Sequence, residues 1–464
     1  MRNKYIDLIN QTFDWPQEDF ELDGDTLTWN GIYLMDIIKQ YGTPLKLSYL
    51  PRISQQIQKA KMLFNVAMAK ADYKGKYNYC YCTKSSHFRF VMEEALKNDI
   101  HIETSSAFDI NIIETLVEEG RIGKKHYIVC NGFKKPQYIE NIARLVNDGY
   151  DNVIPVLDNK AEFEAYDELI PGKLKLGIRI AAEEEPKFEF YTSRLGIGYK
   201  DIVPFYESNI RHHERFELKM LHFFINTGIN DTAYYWSELL KCVNVYCDLK
   251  KICPSLDSLN IGGGFPIKNS LSFQYDYAYM AEEIIAQIKG HCNEKGVKEP
   301  HIFTEFGSYT VGESGAMLFS IMDQKKQNDR ENWNMIDGSF MTTLPDAWAI
   351  NKRFILLAIN NWEKEYERVL LGGLTCDSDD YYNSEQHSNA IYLPKMSDNG
   401  GNQYIGFFNT GAYQDSLAGY GGIQHCLLPA PKHVVIEEDE DGEIRTRLFA
   451  KEQSYKSMLK ILGY

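Results

Sequence analysis

The 464-residue sequence lacks any apolar run of the roughly 18 residues that a membrane-spanning helix needs. Its start, MRNKYIDLINQTFDW, lacks the apolar core of a secretory signal. Basic residues are in deficit: 50 Lys and Arg against 65 Asp and Glu give a net charge of −15, which disfavours nucleic acid and anionic membranes as partners. The nine cysteines lack paired zinc spacing. We therefore expect a cytoplasmic protein with reduced thiols and no bound metal.

An alternation of strand and helix patterns fills residues 45–325. Helical patterns such as FRFVMEEALKN and DINIIETLVEEG separate most of the apolar, β-rich runs. Such alternation predicts a parallel sheet, and eight units over this length fit a (βα)₈ TIM barrel, with a doubly wound open sheet as the rival. The eight runs lie at 77–82, 100–105, 126–131, 152–158, 174–180, 218–225, 258–264 and 301–307.

A different pattern follows the barrel segment. Short strands with turn signals, such as FILLAI and NQYIGFFNTGAY, predict a C-terminal β domain over 326–464. The stretch DTLTWNGIYL near the start also has a β pattern, so we expect residues 1–44 to contribute to the same domain. The barrel is then predicted to span 45–325.

Polar residues and glycines recur where the predicted barrel strands end, which is where barrel enzymes carry their chemistry. A lysine at a strand end can simply mark where the chain meets water, and three glycines can simply form a tight turn. Together, however, a lysine, a glycine segment and an acid are what pyridoxal 5′-phosphate (PLP) requires: a covalent anchor, a phosphate cradle and a partner for the ring nitrogen. The strand-end residues are Lys84, Glu103, Arg179, His222, Gly262, Gly263, Gly264 and Glu305.

Several stretches resemble the fold-type III PLP decarboxylases, the family that contains ornithine, diaminopimelate and arginine decarboxylases: YCTKSS, IETSSAFDI, SRLGI, LNIGGGFPI, TEFGS, LTCDSDD and NTGAYQD. The resemblance covers nearly the whole chain and implies an alanine racemase-like barrel. It implies that Lys84 binds PLP covalently, that Glu305 faces the pyridine nitrogen, and that the glycine segment and Tyr413 contact the phosphate. It also implies a homodimer or higher homo-oligomer with shared active sites, since Cys376 and Asp377 would reach the neighbouring subunit's site, where Cys376 would return a proton to the substrate.

The segments DGSFMTTLPDAWAI, TCDSD and GAYQ most resemble biosynthetic arginine decarboxylase. This resemblance places Asp346 and Asp377 around the distal cation of a basic amino acid, although both aspartates could instead belong to solvated loops and Cys376 could be inert. We expect decarboxylation of L-arginine to agmatine and CO₂ in polyamine biosynthesis. Ornithine, lysine or a carboxyspermidine-type substrate is the alternative.

Three departures from the family pattern bear on the site. Phe224 stands where a ring-stacking histidine is expected, Ser308 where an arginine would reach the phosphate, and Asn226–Thr227 where Gly-Ser is usual. Phe224 can still stack on a pyridine ring. A catalytically lapsed binding protein therefore remains an alternative function. A racemase-like enzyme is another, but it needs a second base for which the sequence offers no clear candidate.

Overall fold

The computed structural model describes residues 3–183, 191–396 and 402–464. The chain forms two compact units. The first, here the β unit, comprises Met1–Arg52, Ile267–Gln274 and Val311–Tyr464. The second, here the barrel unit, comprises Ile53–Pro266 and Tyr275–Thr310. No helix in the described part of the chain is both long and apolar enough to cross a membrane.

After a first helix, the β unit forms a small antiparallel sheet, in which β1 (Phe20–Asp23) pairs with β2 (Thr26–Trp29) and β2 pairs with β3 (Ile32–Tyr33). A further strand, β4 (Leu45–Tyr49), is buried along its whole length and joins a larger sheet. It pairs antiparallel with Gly315–Leu318 and parallel with residues 432–436. The elements of this segment are α1 (Tyr5–Thr12), β1 (Phe20–Asp23), β2 (Thr26–Trp29), β3 (Ile32–Tyr33), α2 (Leu34–Tyr41) and β4 (Leu45–Tyr49).

The barrel unit contains eight parallel strands that close on themselves. Its strands are β5 (Tyr77–Cys82), β6 (His101–Thr104), β7 (Ile128–Cys130), β8 (Val153–Leu157), β9 (Leu174–Ala181), the short accessory β10 (Ile197–Gly198), β11 (Phe216–His222), β12 (Ser258–Asn260) and β13 (His301–Phe306). Neighbouring pairs run from β5 through β9 to β11 and on to β13, and β13 pairs with β5 to close the ring. The predicted (βα)₈ barrel is confirmed, and the closing pair rules out the open sheet.

One helix, α3 (Pro51–Lys70), precedes the first barrel strand, and helices follow the later strands, as the sequence pattern predicted. They are α3 (Pro51–Lys70), α4 (Arg89–Leu96), α5 (Ala107–Glu118), α6 (Pro136–Asn147), α7 (Lys160–Leu169), α8 (Tyr199–Phe205), α9 (Ala233–Ile252) and α10 (Tyr277–Lys295). Side chains of strand residues that point inward fill the barrel, which is therefore a packed core rather than a pore. The buried cluster consists of Cys80, Val129, Ile154, Val156, Met220 and Phe303.

The rest of the β unit forms a ten-stranded sheet around β4, with short helices. Its elements are α11 (Ser308–Val311), which spans the unit boundary, β14 (Gly315–Lys326), β15 (Asn332–Ile336), α12 (Phe340–Thr343), α13 (Pro345–Ala349), β16 (Ile355–Ala358), β17 (Tyr366–Gly372), β18 (Tyr381–Tyr382), β19 (Ile391–Pro394), β20 (Gln403–Phe408), α14 (Gln414–Ala418), β21 (Lys432–Glu438), β22 (Ile444–Ala450) and α15 (Tyr455–Leu462).

The bounds of the two units differ from the predicted domain limits of 45 and 325. Residues 45–52, 267–274 and 311–325 lie within the predicted barrel span but belong to the β unit. A buried β strand such as β4 has the same apolar pattern in either sheet, because periodicity reports burial and not the identity of the partner strand.

The glycine segment after β12 packs against the backbone of β13. A Cβ added to Gly263 would lie 2.0 Å from the carbonyl oxygen of Glu305. A Cβ on Gly262 would lie 2.7 Å from the carbonyl oxygen of Phe223, and Gly262 has a φ of +68°. Backbone atoms cannot move aside as a flexible side chain can, so these positions accept only glycine.

We expect Gly263→Ala to destabilise the protein by at least ~1–3 kcal/mol, because the new methyl group overpacks backbone against backbone. Gly290→Ala is the matched control: an added Cβ meets no atom within 4 Å there, and alanine in a helix is favoured over glycine by up to about 1 kcal/mol. Denaturant unfolding of both variants checks this. A Gly263→Ala protein as stable as wild type would contradict the packing argument.

Candidate active site

Lys84 lies immediately beyond the carboxyl end of β5, in the single helical turn Thr83–Ser85. The Ser85 hydroxyl donates to the Cys82 carbonyl at 2.8 Å, which fixes the turn. The Lys84 Nζ donates to Glu103 Oε2 at 2.9 Å. The Glu103 side chain is fully buried, whereas that of Lys84 is 42% exposed. The ammonium group is thus tethered to a buried acid and remains open to a ligand.

Two buried carboxylates share one amide at this end of the barrel. Asn131 follows β7, and its Nδ2 donates to Glu103 Oε1 at 3.1 Å and to Glu305 Oε1 at 2.8 Å. Asn260, at the end of β12, donates to the same Glu305 oxygen at 2.6 Å. The Glu305 carboxylate is therefore fixed by two amides.

The charges around this group set its protonation. Burial disfavours the ionised form of Glu305, but His222 and Lys84 outweigh burial and lower the pKa of Glu305 to about 2. His222 Nε2 lies 3.2 Å from Glu305 Oε2, without the alignment of a hydrogen bond. Burial also disfavours the charge of Lys84, yet Glu103 and Glu305 raise the pKa of Lys84 well above its usual value. The site therefore holds an ionised Glu305 and a protonated Lys84.

The glycine segment is joined to the carboxylate group through Asn260. The Asn260 Oδ1 accepts the Gly262 N–H at 2.9 Å, and the Glu305 N–H donates to the Gly262 carbonyl at 2.8 Å. In the part of the chain that the structure describes, no acceptor takes the N–H groups of Gly263 and Gly264. Free backbone donors in a segment without side chains are suited to an anion such as phosphate.

Other buried polar atoms at this end of the barrel are also unsatisfied. Among the described residues, Arg179 Nε, Asn131 Oδ1 and His222 Nδ1 have no hydrogen-bond partner. Burial lowers the pKa of Arg179, and Glu305 partly opposes that effect. Phe224, two residues after β11 ends, is 39% exposed. Because buried polar groups are normally paired, these atoms indicate that a polar ligand completes the site.

These features fit PLP. Lys84 offers an accessible amine for the cofactor's carbonyl, and the glycine amides offer donors for its phosphate. An acid with a pKa of about 2 stays ionised and can hold a protonated pyridine nitrogen. Phe224 offers an exposed ring face for stacking. Lys84, Phe224, Gly262, Gly263, Gly264 and Glu305 all belong to the barrel unit.

The other predicted site residues belong to the β unit. The carboxylate of Asp346 is buried and accepts from Gln414 Nε2 at 2.8 Å and from Lys352 Nζ at 3.3 Å. Asp377 is more open, and its Oδ2 lies 3.8 Å from His425 Nε2. The two predicted substrate carboxylates therefore have different partners.

Cys376 is exposed, with its Sγ 3.6 Å from Cys426 Sγ. Tyr413 precedes α14 with a φ of +67°. The sequence prediction missed Asn131 and Asn260, the amides that fix Glu305. Both asparagines lie at the ends of barrel strands, and that position, which also pointed to Lys84, could have identified them from the sequence.

Comparisons with known proteins agree with this geometry. Residues 53–312, more than half of the chain, match the family described as pyridoxal-dependent decarboxylase, pyridoxal binding domain. A biosynthetic arginine decarboxylase from Prochlorococcus marinus subsp. pastoris is 22% identical over 95% of this chain and 86% of its own length.

Two solved structures share the fold. The biosynthetic arginine decarboxylase of Campylobacter jejuni superimposes with a TM-score of 0.80 at 20% identity, covering 97% of this chain and 90% of that protein. A diaminopimelate decarboxylase from M. jannaschi gives 0.78 at 17% identity, covering 96% and 97%. Similar scores for enzymes with different substrates mean that the fold alone does not determine specificity. The matched segment, which contains Lys84, the glycines and Glu305, shows that the chain belongs to the pyridoxal-dependent decarboxylase family and uses PLP as its cofactor.

Proposed function

We propose that this decarboxylase acts on L-arginine, giving agmatine and CO₂ for polyamine biosynthesis. The observation that carries the substrate class is the pair of acidic side chains, Asp346 and Asp377, in the LPDAW and TCDSD segments. A guanidinium presents a planar fork of donors that carboxylates bind in bidentate fashion. The distal carboxylate of diaminopimelate would be repelled by the same acids. The similarity to named arginine decarboxylases over most of the chain supports this choice.

We assign the barrel-unit residues as follows. Lys84 binds the cofactor covalently, and Glu103 accepts the proton that the Lys84 ammonium must first lose, since its Oε2 lies 2.9 Å away. Glu305 keeps the pyridine nitrogen protonated. Gly263 and Gly264 donate to the phosphate. PLP, when bound, supplies the sink for the electron pair that departing CO₂ leaves behind.

The Lys84 assignment predicts that Lys84→Ala and Lys84→Arg both lose turnover and the absorbance of covalently bound PLP. Arginine keeps the positive charge beside Glu103, so Lys84→Arg should stay folded while lacking a reactive amine. Lys97→Ala is the control, because Lys97 is an exposed lysine paired with Glu94. Spectra and CO₂ release of the three variants are compared with wild type. Retention of both signals in Lys84→Arg would refute the assignment.

We further propose a cytoplasmic homodimer with shared sites, in which Cys376 of one subunit returns a proton to the substrate's α-carbon in the other. The exposed position of Cys376 supports this role. All nine cysteines have free thiols in the structure, as is usual in a reducing compartment.

Shared sites predict complementation between inactive variants. In a heterodimer of Lys84→Ala and Cys376→Ala chains, one site receives both intact residues, so a 1:1 mixture should regain about a quarter of wild-type activity after random exchange. Mixing Lys84→Ala with Glu305→Ala is the matched control. Both residues lie in the same barrel, so neither hybrid site is intact. If confirmed subunit exchange gives no recovery in the first mixture, the sites are not shared.

The substrate assignment predicts that Asp377→Ala and Asp346→Ala each lower kcat/KM for L-arginine by at least ~30-fold. Losing one partner of a desolvated charge pair costs ~2–5 kcal/mol, and ~1.4 kcal/mol is tenfold. Asp379→Ala is the control, since Asp379 is an exposed acid two residues from Asp377. Wild type should prefer L-arginine to L-ornithine, L-lysine, carboxyspermidine and meso-diaminopimelate. A preference for diaminopimelate would refute the proposed role of the two carboxylates. A preference for ornithine would refute only the choice of arginine as the substrate.

A further inference from the structure

Two exposed cysteines and a histidine converge in the β unit. Cys376 lies in the loop after β17, and His425 and Cys426 lie between α14 and β21. The ligand atoms of these three side chains lie within 4.8 Å of one another. The Asp377 carboxylate approaches the same histidine, with Oδ2 3.8 Å from His425 Nε2. We call these four residues the thiol cluster.

The spacing of the two sulfur atoms matches a shared metal ligand. Two thiolates bound at about 2.3 Å to one tetrahedral Zn²⁺ lie about 3.8 Å apart. The observed Sγ–Sγ distance is 3.6 Å. A disulfide would instead need about 2.05 Å. Two sulfurs, an imidazole nitrogen and a nearby carboxylate oxygen make a ligand set that zinc commonly takes.

The Cys376 loop is held in shape by a buried acid. Asp380 Oδ2 accepts from the Thr375 N–H at 3.0 Å and from its hydroxyl at 2.7 Å, and the Thr375 hydroxyl oxygen accepts from the Asp377 N–H at 3.4 Å. Asp380 Oδ1 accepts from the Phe340 N–H at 2.8 Å, which anchors the loop to α12. The two loop ligands thus sit on a fixed backbone.

The second loop adopts an unusual backbone. Cys426 and Leu427 both have a φ of +54°, a left-handed conformation that is unfavourable for a non-glycine residue. Gln424, which is buried, donates to the Thr342 carbonyl at 3.3 Å and holds this turn in place. Such strain persists where the surroundings enforce it and is concentrated at functional sites.

We propose that Cys376, Cys426 and His425 form a Zn²⁺ site, with Asp377 or water as the fourth ligand. Binding would displace the thiol protons, since zinc binds thiolates. Because the thiols must lose their protons to bind, zinc affinity should rise with pH. No zinc spacing is recognisable in the sequence because the two cysteines are 50 positions apart.

The effect of zinc on catalysis rests on the proposed function, in which Cys376 is the proton donor. Zinc bound to Cys376 Sγ would remove the thiol that returns a proton to the substrate. Zn²⁺ should therefore inhibit decarboxylation reversibly, and a chelator should restore it. Zinc binding itself does not depend on the substrate or on the role of Cys376.

The test uses the PLP-loaded full-length protein, reduced and freed of metal. Calorimetric titration with Zn²⁺ should show one ion per chain, and Co²⁺ should give a thiolate-to-cobalt absorption band. Cys426→Ser and His425→Ala should each weaken binding at least about tenfold. His212→Ala is the matched control, because His212 is an exposed histidine outside the cluster. In activity assays, Cys426→Ser should resist the zinc inhibition seen with wild type.

Three results would overturn the proposal. The first is that Cys426→Ser and His425→Ala bind zinc with the same affinity as wild type. A second such result is that the reduced protein binds no Zn²⁺ and that Cys376 and Cys426 instead form a disulfide on exposure to hydrogen peroxide. The third is that Co²⁺ binds without the thiolate-to-cobalt absorption band. A protein that binds zinc as expected but releases no CO₂ from any amino acid would refute the proposed function and leave the metal site intact.

Discussion

The barrel site depends on two buried carboxylates, Glu103 and Glu305, that are held within reach of a single amide. Asn131 donates to both, at 3.1 and 2.8 Å. Two like charges this close in a desolvated site repel each other strongly, so both can stay ionised only beside cations. Lys84 pairs with Glu103 from the end of the adjacent strand β5, and His222 Nε2 lies beside Glu305 from the end of β11. The acids therefore explain why basic side chains lie at this end of an otherwise apolar barrel.

His222 is not placed to stack on a cofactor ring. The imidazole is only 1% exposed and lies beside Glu305, so it cannot present its face to a ligand. The exposed ring two residues later is phenylalanine. A cofactor ring stacked there would lose the polar contact of a histidine and keep the dispersion contact. Ser308 carries no charge, so a phosphate bound as we propose would rely on the backbone amides of the glycine segment.

The sequence could predict the rim of the barrel because the carboxyl ends of parallel strands meet at one end. Lys84, the glycine segment and Glu305 were identified on that basis. Asn131 and Asn260 occupy equivalent positions but escaped notice, since an amide at a strand end is as common in turns as in sites. The assignment of β4 to the barrel span had a different cause: strand periodicity does not specify the partner. The thiol cluster was invisible because only tertiary structure unites residues from separate loops.

The pairing of Asp346 bears on how the proposed substrate is selected. Its buried carboxylate already accepts from Lys352 Nζ at 3.3 Å, and the Asp346 side chain is 9% exposed. A substrate ammonium, as in lysine or ornithine, offers this carboxylate the same kind of point charge that Lys352 provides. Such an ammonium therefore gains little binding free energy by replacing Lys352. A guanidinium offers two parallel donors in a fixed plane, which a single ammonium cannot match. If Asp346 binds the distal group of the substrate as we propose, competition with Lys352 would favour arginine over ornithine and lysine without any steric exclusion.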